Sequence, residues 1–91
     1  MSDRCIQGFV WREAVPGDHV CVTPETRLQV RQDNLQAQAR REPNGGPYGP
    51  DTCVQGYVWR QAIARDHVCV TPERRAETGA DNHQAAARRV Q

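Results

Sequence analysis

Apolar residues are sparse along this chain and fall in short bursts. Phe9-Val10-Trp11 is followed, after a polar stretch, by Val20-Cys21-Val22, and the same bursts return as Tyr57-Val58-Trp59 and Val68-Cys69-Val70. Such runs, rich in β-branched and aromatic residues, read as strands. Between the first two lies Pro16-Gly17-Asp18, where proline presets φ and glycine permits a positive one, so the pair predicts a β-hairpin. The second hairpin turns through Ala64-Arg65-Asp66, which is weaker turn chemistry but keeps the aspartate. That carboxylate is expected to accept backbone N–H groups of the turn.

After each second burst the chain becomes polar and alanine-rich. Thr23-Pro24-Glu25 and Thr71-Pro72-Glu73 are helix starts: threonine caps, proline tolerates the first turn, and glutamate complements the positive end of the dipole. The helices are expected to run to about Arg41 and Arg89, with Arg40-Arg41 and Arg88-Arg89 at the negative ends. Asp33, Ala37 and Arg40, with Asn34 and Arg41 beside them, share one side at helical spacing, and that side is expected to face the hairpin.

These parallels form a repeat. Residues 5–41 and 53–89 align at a constant offset of 48 with no gap, and 23 of 37 positions are identical. Between them, Glu42 to Thr52 contains three glycines and three prolines, which excludes regular structure. Tyr48 in this linker is expected to pack between the copies. The predicted fold class is therefore α+β: two tandem small ββα units, each a disulfide-stapled hairpin plus a helix, with repeat 1 at 5–41, a Gly/Pro-rich linker at 42–52 and repeat 2 at 53–89.

Composition explains the cysteines. Mean hydropathy is −0.81 and only five residues are aromatic, while units of about 40 residues rarely bury enough apolar surface to fold without a staple or metal. Cys5 and Cys21, like Cys53 and Cys69, have fifteen residues between them. Four cysteines allow three pairings, and the repeat symmetry favours pairing within each copy. Each such loop contributes roughly 3 kcal/mol in the chain-entropy account, and disulfides imply an oxidising compartment, so a secreted or cell-surface location is expected. The rival reading is zinc, held by Cys5, His19, Cys21, Cys53, His67 and Cys69, although the tight Cys-x₂₋₄-Cys spacing of structural zinc sites is absent.

Trp11 and Trp59 are expected to supply the core, with Arg12 and Arg60 paired to Asp33 and Asp81 on the helices. The alternative is that Trp11, Arg12 and His19, with Trp59, Arg60 and His67, form candidate binding sites, an aromatic platform beside a guanidinium. Arg27 and Arg75 read as solvated or capping. His19 and His67 are the repeated residues least explained by the needs of the fold.

Net charge is +1, all twelve basic residues are arginine, and no apolar run approaches a membrane span, so neither nucleic acid nor membrane insertion is expected. The opening Met-Ser-Asp-Arg does not read as a secretory leader. Asp18-His19 resembles a base with its orienting carboxylate, but the nearby hydroxyls Thr23 and Thr71 are explained as caps, and no phosphate loop or carboxylate pair occurs; neither catalysis nor a cofactor is expected.

The motif Cys-x-x-Gly-(Phe/Tyr)-Val-Trp-Arg-x-Ala-x-x-x-Asp-His-Val-Cys-Val-Thr-Pro-Glu-x-Arg, with Asp-Asn downstream, resembles a tandem repeat of uncharacterised, often exported proteins of high-GC bacteria. The resemblance covers 5–41 and 53–89 and implies an accessory or surface-associated module, without carrying over any activity. The expected function is a non-catalytic, extracytoplasmic binding or interaction module, bivalent toward a surface glycan or a protein. The alternatives are a zinc-stabilised intracellular adaptor and a self-associating, fibre-forming repeat whose hairpin edges pair between chains.

Overall fold

In the computed structural model, which describes residues 2–91, each apolar burst contributes only two residues to a ladder. Strand β1 (Val10–Trp11) pairs antiparallel with β2 (Cys21–Val22), with Trp11 opposite Cys21; β3 (Val58–Trp59) pairs in the same register with β4 (Cys69–Val70). The ladders are short because the chain leaves them sharply. Glu13 and Gln61 take left-handed φ values of 53° and 54°, unusual for residues with a Cβ. This turns the following residue inward, so that the Ala14 and Ala62 N–H groups each reach an aspartate carboxylate at 2.9 Å. The turn aspartates are thus the organising groups predicted for them.

Helices α1 (Pro24–Gln36) and α2 (Pro72–Gln84) begin as expected, with the Thr23 and Thr71 hydroxyls each accepting an N–H at 3.2 Å. They end before the predicted Arg41 and Arg89. The chain tightens into 3₁₀ turns at Gln38–Arg40 and Ala86–Arg88, then becomes extended at Arg41 and Arg89. The cause is tertiary pairing. Arg41 bridges to Cys53 of the other repeat and Arg89 bridges to Cys5, so the end of each repeat is drawn out of its helix onto the start of the other.

The disulfides form within each copy, Cys5–Cys21 and Cys53–Cys69. All four thiols are consumed, which removes the cysteine ligands on which the zinc alternative depended. Cys5 reaches Cys21 from outside the ladder, on a turn that Gly8 closes at a φ of 95°.

The two units interlock with two-fold exchange. Ile6 N–H donates to Arg88 O and Val90 N–H to Arg4 O; Val54 N–H donates to Arg40 O and Glu42 N–H to Thr52 O, all between 2.8 and 2.9 Å. The Arg40 guanidinium donates to the Cys69 carbonyl and lies over Tyr57, while Arg88 donates to the Cys21 carbonyl and lies over Phe9. The apolar centre is correspondingly shared: Ala14 and Val30 of repeat 1 pack with Ala62 of repeat 2. The tryptophans are not in it. Trp11 is 37% exposed and Trp59 is half-buried, which corrects the expectation that they form the core. Val22, Val70, Cys21 and Cys69 are also fully buried.

The linker is ordered by its own hydrogen bonds. Gly45 and Gly49 close turns onto Glu42 and Gly46, a 3₁₀ turn spans Gly49–Asp51, and the buried Thr52 hydroxyl accepts the Tyr48 N–H at 2.9 Å. Tyr48 does not pack between the copies as expected; it is 68% exposed and meets Trp59 edge-on at 5.3 Å.

Because the core and ladder ends are shared, the protein should unfold in one cooperative transition. Replacing the Cys5–Cys21 pair by serines removes roughly 3 kcal/mol and should lower the melting of both repeats together in calorimetry. Two separable transitions would contradict this interlocking.

Candidate functional site

The sequence motif around Trp-Arg separates in space into a buried half and an exposed half. Arg12 and Arg60 go inward, each 1% exposed. Arg12 donates from Nε to Asp18 Oδ2 at 2.7 Å and from Nη2 to Oδ1 at 3.2 Å, and Arg60 makes the same pair of bonds to Asp66. Their third corner crosses to the other repeat: Arg12 Nη1 donates to Asn82 Oδ1 and Arg60 Nη1 to Asn34 Oδ1, both at 2.8 Å. Each asparagine amide in turn donates to a carbonyl of its own repeat, Ala62 O or Ala14 O. These arginines are spent on structure, which corrects both their candidacy as ligand contacts and their expected pairing with Asp33 and Asp81. Asp33 instead accepts from Arg40 and Arg74, and Asp81 from Arg88.

Burial alone would raise the Asp18 carboxyl, but hydrogen bonds from Arg12 and from the Ala14 and Val20 N–H groups, with the attraction of the Arg12 charge, outweigh it and hold the group below its ordinary 3.8.

The exposed half is an aromatic stack. Trp11 and His19 lie face to face with ring centroids 3.8 Å apart, as do Trp59 and His67. An aspartate ties each stack: Trp11 Nε1 donates to Asp3 O at 2.7 Å and His19 Nδ1 meets Asp3 Oδ2 at 3.1 Å, while Trp59 and His67 contact Asp51 at 2.9 Å in the same two ways. A carboxylate only accepts, so the proton sits on Nδ1. The sequence offered Asp18 as a carboxylate to orient His19; that carboxylate, like Asp66, belongs to a buried arginine instead. Asp3 and Asp51 were not singled out by sequence reasoning, one lying in the opening Met-Ser-Asp-Arg and the other in the linker. The signal was available, since they too are 48 residues apart. The histidines are thereby explained: they cover one face of each tryptophan.

Beside the second stack the surface is concave. A cleft of about 360 Å³ is lined by Tyr57, Val58, Trp59, Tyr48 and Thr52, with Gln61 and Arg75 at its polar side, at the small end of the range for ligand clefts. Arg75 Nη2 donates to Gln61 Oε1 at 3.2 Å, which fixes both planar groups. Tyr48 and Arg75 were not singled out by sequence reasoning as ligand contacts. The arrangement offers aromatic faces and oriented hydrogen-bond donors. Among the described residues, no side-chain hydroxyl is hydrogen-bonded to either imidazole, and no cluster of three or more histidine, cysteine or acidic residues could hold a metal ion.

Burial ranks the effects of substitution within the motif. Arg12→Ala leaves Asp18 charged, buried and unpaired, and should cost about 3–5 kcal/mol; Trp11→Ala, at a partly exposed position, should cost only about 1–2 kcal/mol. Chemical denaturation of the two variants checks the order. Asp18 is depressed in the folded state, so its contribution is present above 3.8 and is lost as pH falls through the lowered folded value. A carboxyl NMR titration should give a midpoint below 3.8 for Asp18; a midpoint at or above it would contradict the pairing.

No family profile matches the chain, and neither a curated protein nor a solved structure matches it significantly.

Proposed function

We propose that this chain is a non-catalytic, extracytoplasmic binding module whose ligand is a surface glycan. One observation carries the reading: in a protein with so few aromatic residues, both tryptophans are left partly open to solvent on built supports while Arg12 and Arg60 are buried in the interior. Each indole is braced by an imidazole on one face and by a hydrogen bond at its N–H, so little ordering is left to be done on binding. Trp and Tyr supply large contact areas with few rotatable bonds, and they dominate recognition sites for that reason. A braced aromatic face, flanked by the planar donors Gln61 and Arg75, matches the apolar C–H face and hydroxyl rim of a sugar ring.

Two disulfides in so small a unit fit an oxidising location outside the cytoplasm. Two aromatic sites on one interlocked body let individually weak contacts act together on a polyvalent surface. Among the described residues, no helix is long and apolar enough to cross a membrane.

Retention of the protein on an immobilised glycan panel tests the proposal. Trp11→Ala and Trp59→Ala should each remain folded by circular dichroism and lose about tenfold in retention, and the double variant should lose it altogether. Absence of retention on every glycan, or retention untouched by both substitutions, would sink the reading.

A further inference from the structure

The two aromatic sites are not equivalent, and the difference is one of charge. The cleft beside Trp59 contains one formal charge, the Arg75 guanidinium, and none of its lining residues is acidic. Arg75 is exposed, gives one N–H to Gln61, and makes no ion pair among the described residues, so most of its donors are turned to no other group. The neutral amide of Gln61 is itself anchored, with Oε1 accepting from Arg75 and Nε2 donating to Ala64 O at 3.4 Å.

At the 48-residue offset, repeat 1 carries Glu13 where repeat 2 has Gln61, with Arg27 at the place of Arg75. Glu13 has the same left-handed backbone, φ 53° against 54°, so the two side chains leave the backbone in the same direction. The wall provided by Tyr48 comes from the linker between the repeats.

We infer that the Trp59 cleft binds a carboxylated sugar residue of an acidic glycan, and that the Trp11 site rejects it. The sugar's C–H face lies on the aromatic wall of Trp59 and Tyr48. Its hydroxyls meet the Gln61 amide, and its carboxylate takes the fork of Arg75, a charge-assisted contact that fits two parallel N–H donors. At repeat 1 the Glu13 carboxylate sets a like charge against the same ligand. This rests on the glycan-binding reading above and narrows it to a ligand class and a single repeat.

The test is a two-dimensional amide and indole NMR titration of the full chain with a trimer of galacturonic acid and, separately, with a neutral glucose trimer. The acidic trimer should shift the Trp59 Nε1–H and the signals of Gln61 and Arg75, and leave the Trp11 Nε1–H in place. Arg75→Gln should weaken binding of the acidic trimer about tenfold or more and that of the neutral one by much less, since a neutral sugar loses one hydrogen-bond donor and no ion pair. Gln61→Glu installs the side chain that repeat 1 already holds in this backbone conformation, so the fold is kept, and it should abolish binding of the acidic trimer. Equal response to both trimers, with neither substitution selective, would overturn the carboxylate assignment and leave the glycan reading standing. Equal movement of both indoles by the acidic trimer would overturn the assignment to one repeat. No shift from either trimer would overturn the inference and count against the glycan reading as well.

Discussion

The fold depends on two arginines that have almost no contact with water. Arg12 and Arg60 are the largest fully buried side chains in the protein, and each brings a charge inside that must be answered in full. The answer is geometric. A carboxylate of the same repeat takes two N–H groups in parallel, and an asparagine of the other repeat takes a third. Nothing smaller or less planar spans those three acceptors. The turn aspartate must face inward, where the left-handed Glu13 or Gln61 brings the next N–H onto it; the asparagine must come from the opposite helix, which fixes how the repeats face each other. One polar node therefore sets the hairpin, the helix position and the interface.

This arrangement suits a chain with little apolar material. A hydrophobic centre of two alanines and a valine is weak in area but permits close approach of backbones. Directional bonds then do what packing does in larger domains, namely exclude alternative registers, and the two disulfides limit the unfolded state. With the interior filled in this way, the tryptophans are free to stand at the surface.

Much of this was legible in the residues. The bursts of apolar positions, the Thr-Pro-Glu starts and the turn aspartates follow from local rules, and the within-copy cysteine pairs from the repeat; these were the features that the fold kept. The burial of Arg12 in place of Trp11 was not legible, because single-residue hydrophobicity orders them the other way and only the supply of partners reverses it. Those partners, Asn34 and Asn82, lie in the opposite repeat and leave no local trace. The helix ends failed for the same reason: Arg41 and Arg89 are good helix formers drawn away by strand pairing with distant residues. Asp3 and Asp51 were a different failure, since alignment of the copies could have been carried two residues further upstream.

The exchange of ladder ends has a topological consequence. The passage from Arg41 to Cys53 and the approach of Arg89 to Cys5 are the same piece of structure, made once through a covalent linker and once through hydrogen bonds alone. In connectivity the protein is a closed ring of two like arcs, and chain order is only the choice of which junction is peptide. A circular permutant opened between Gly45 and Gly46, with a short linker joining Gln91 to Ser2, would keep the exchanged ladder ends and the Asp3 contacts to Trp11 and His19. Such a ring is what remains when a symmetric pair of single repeats is fused into one polypeptide. Fusion frees the two halves from identity, and that freedom is where Gln61 and Glu13 part company.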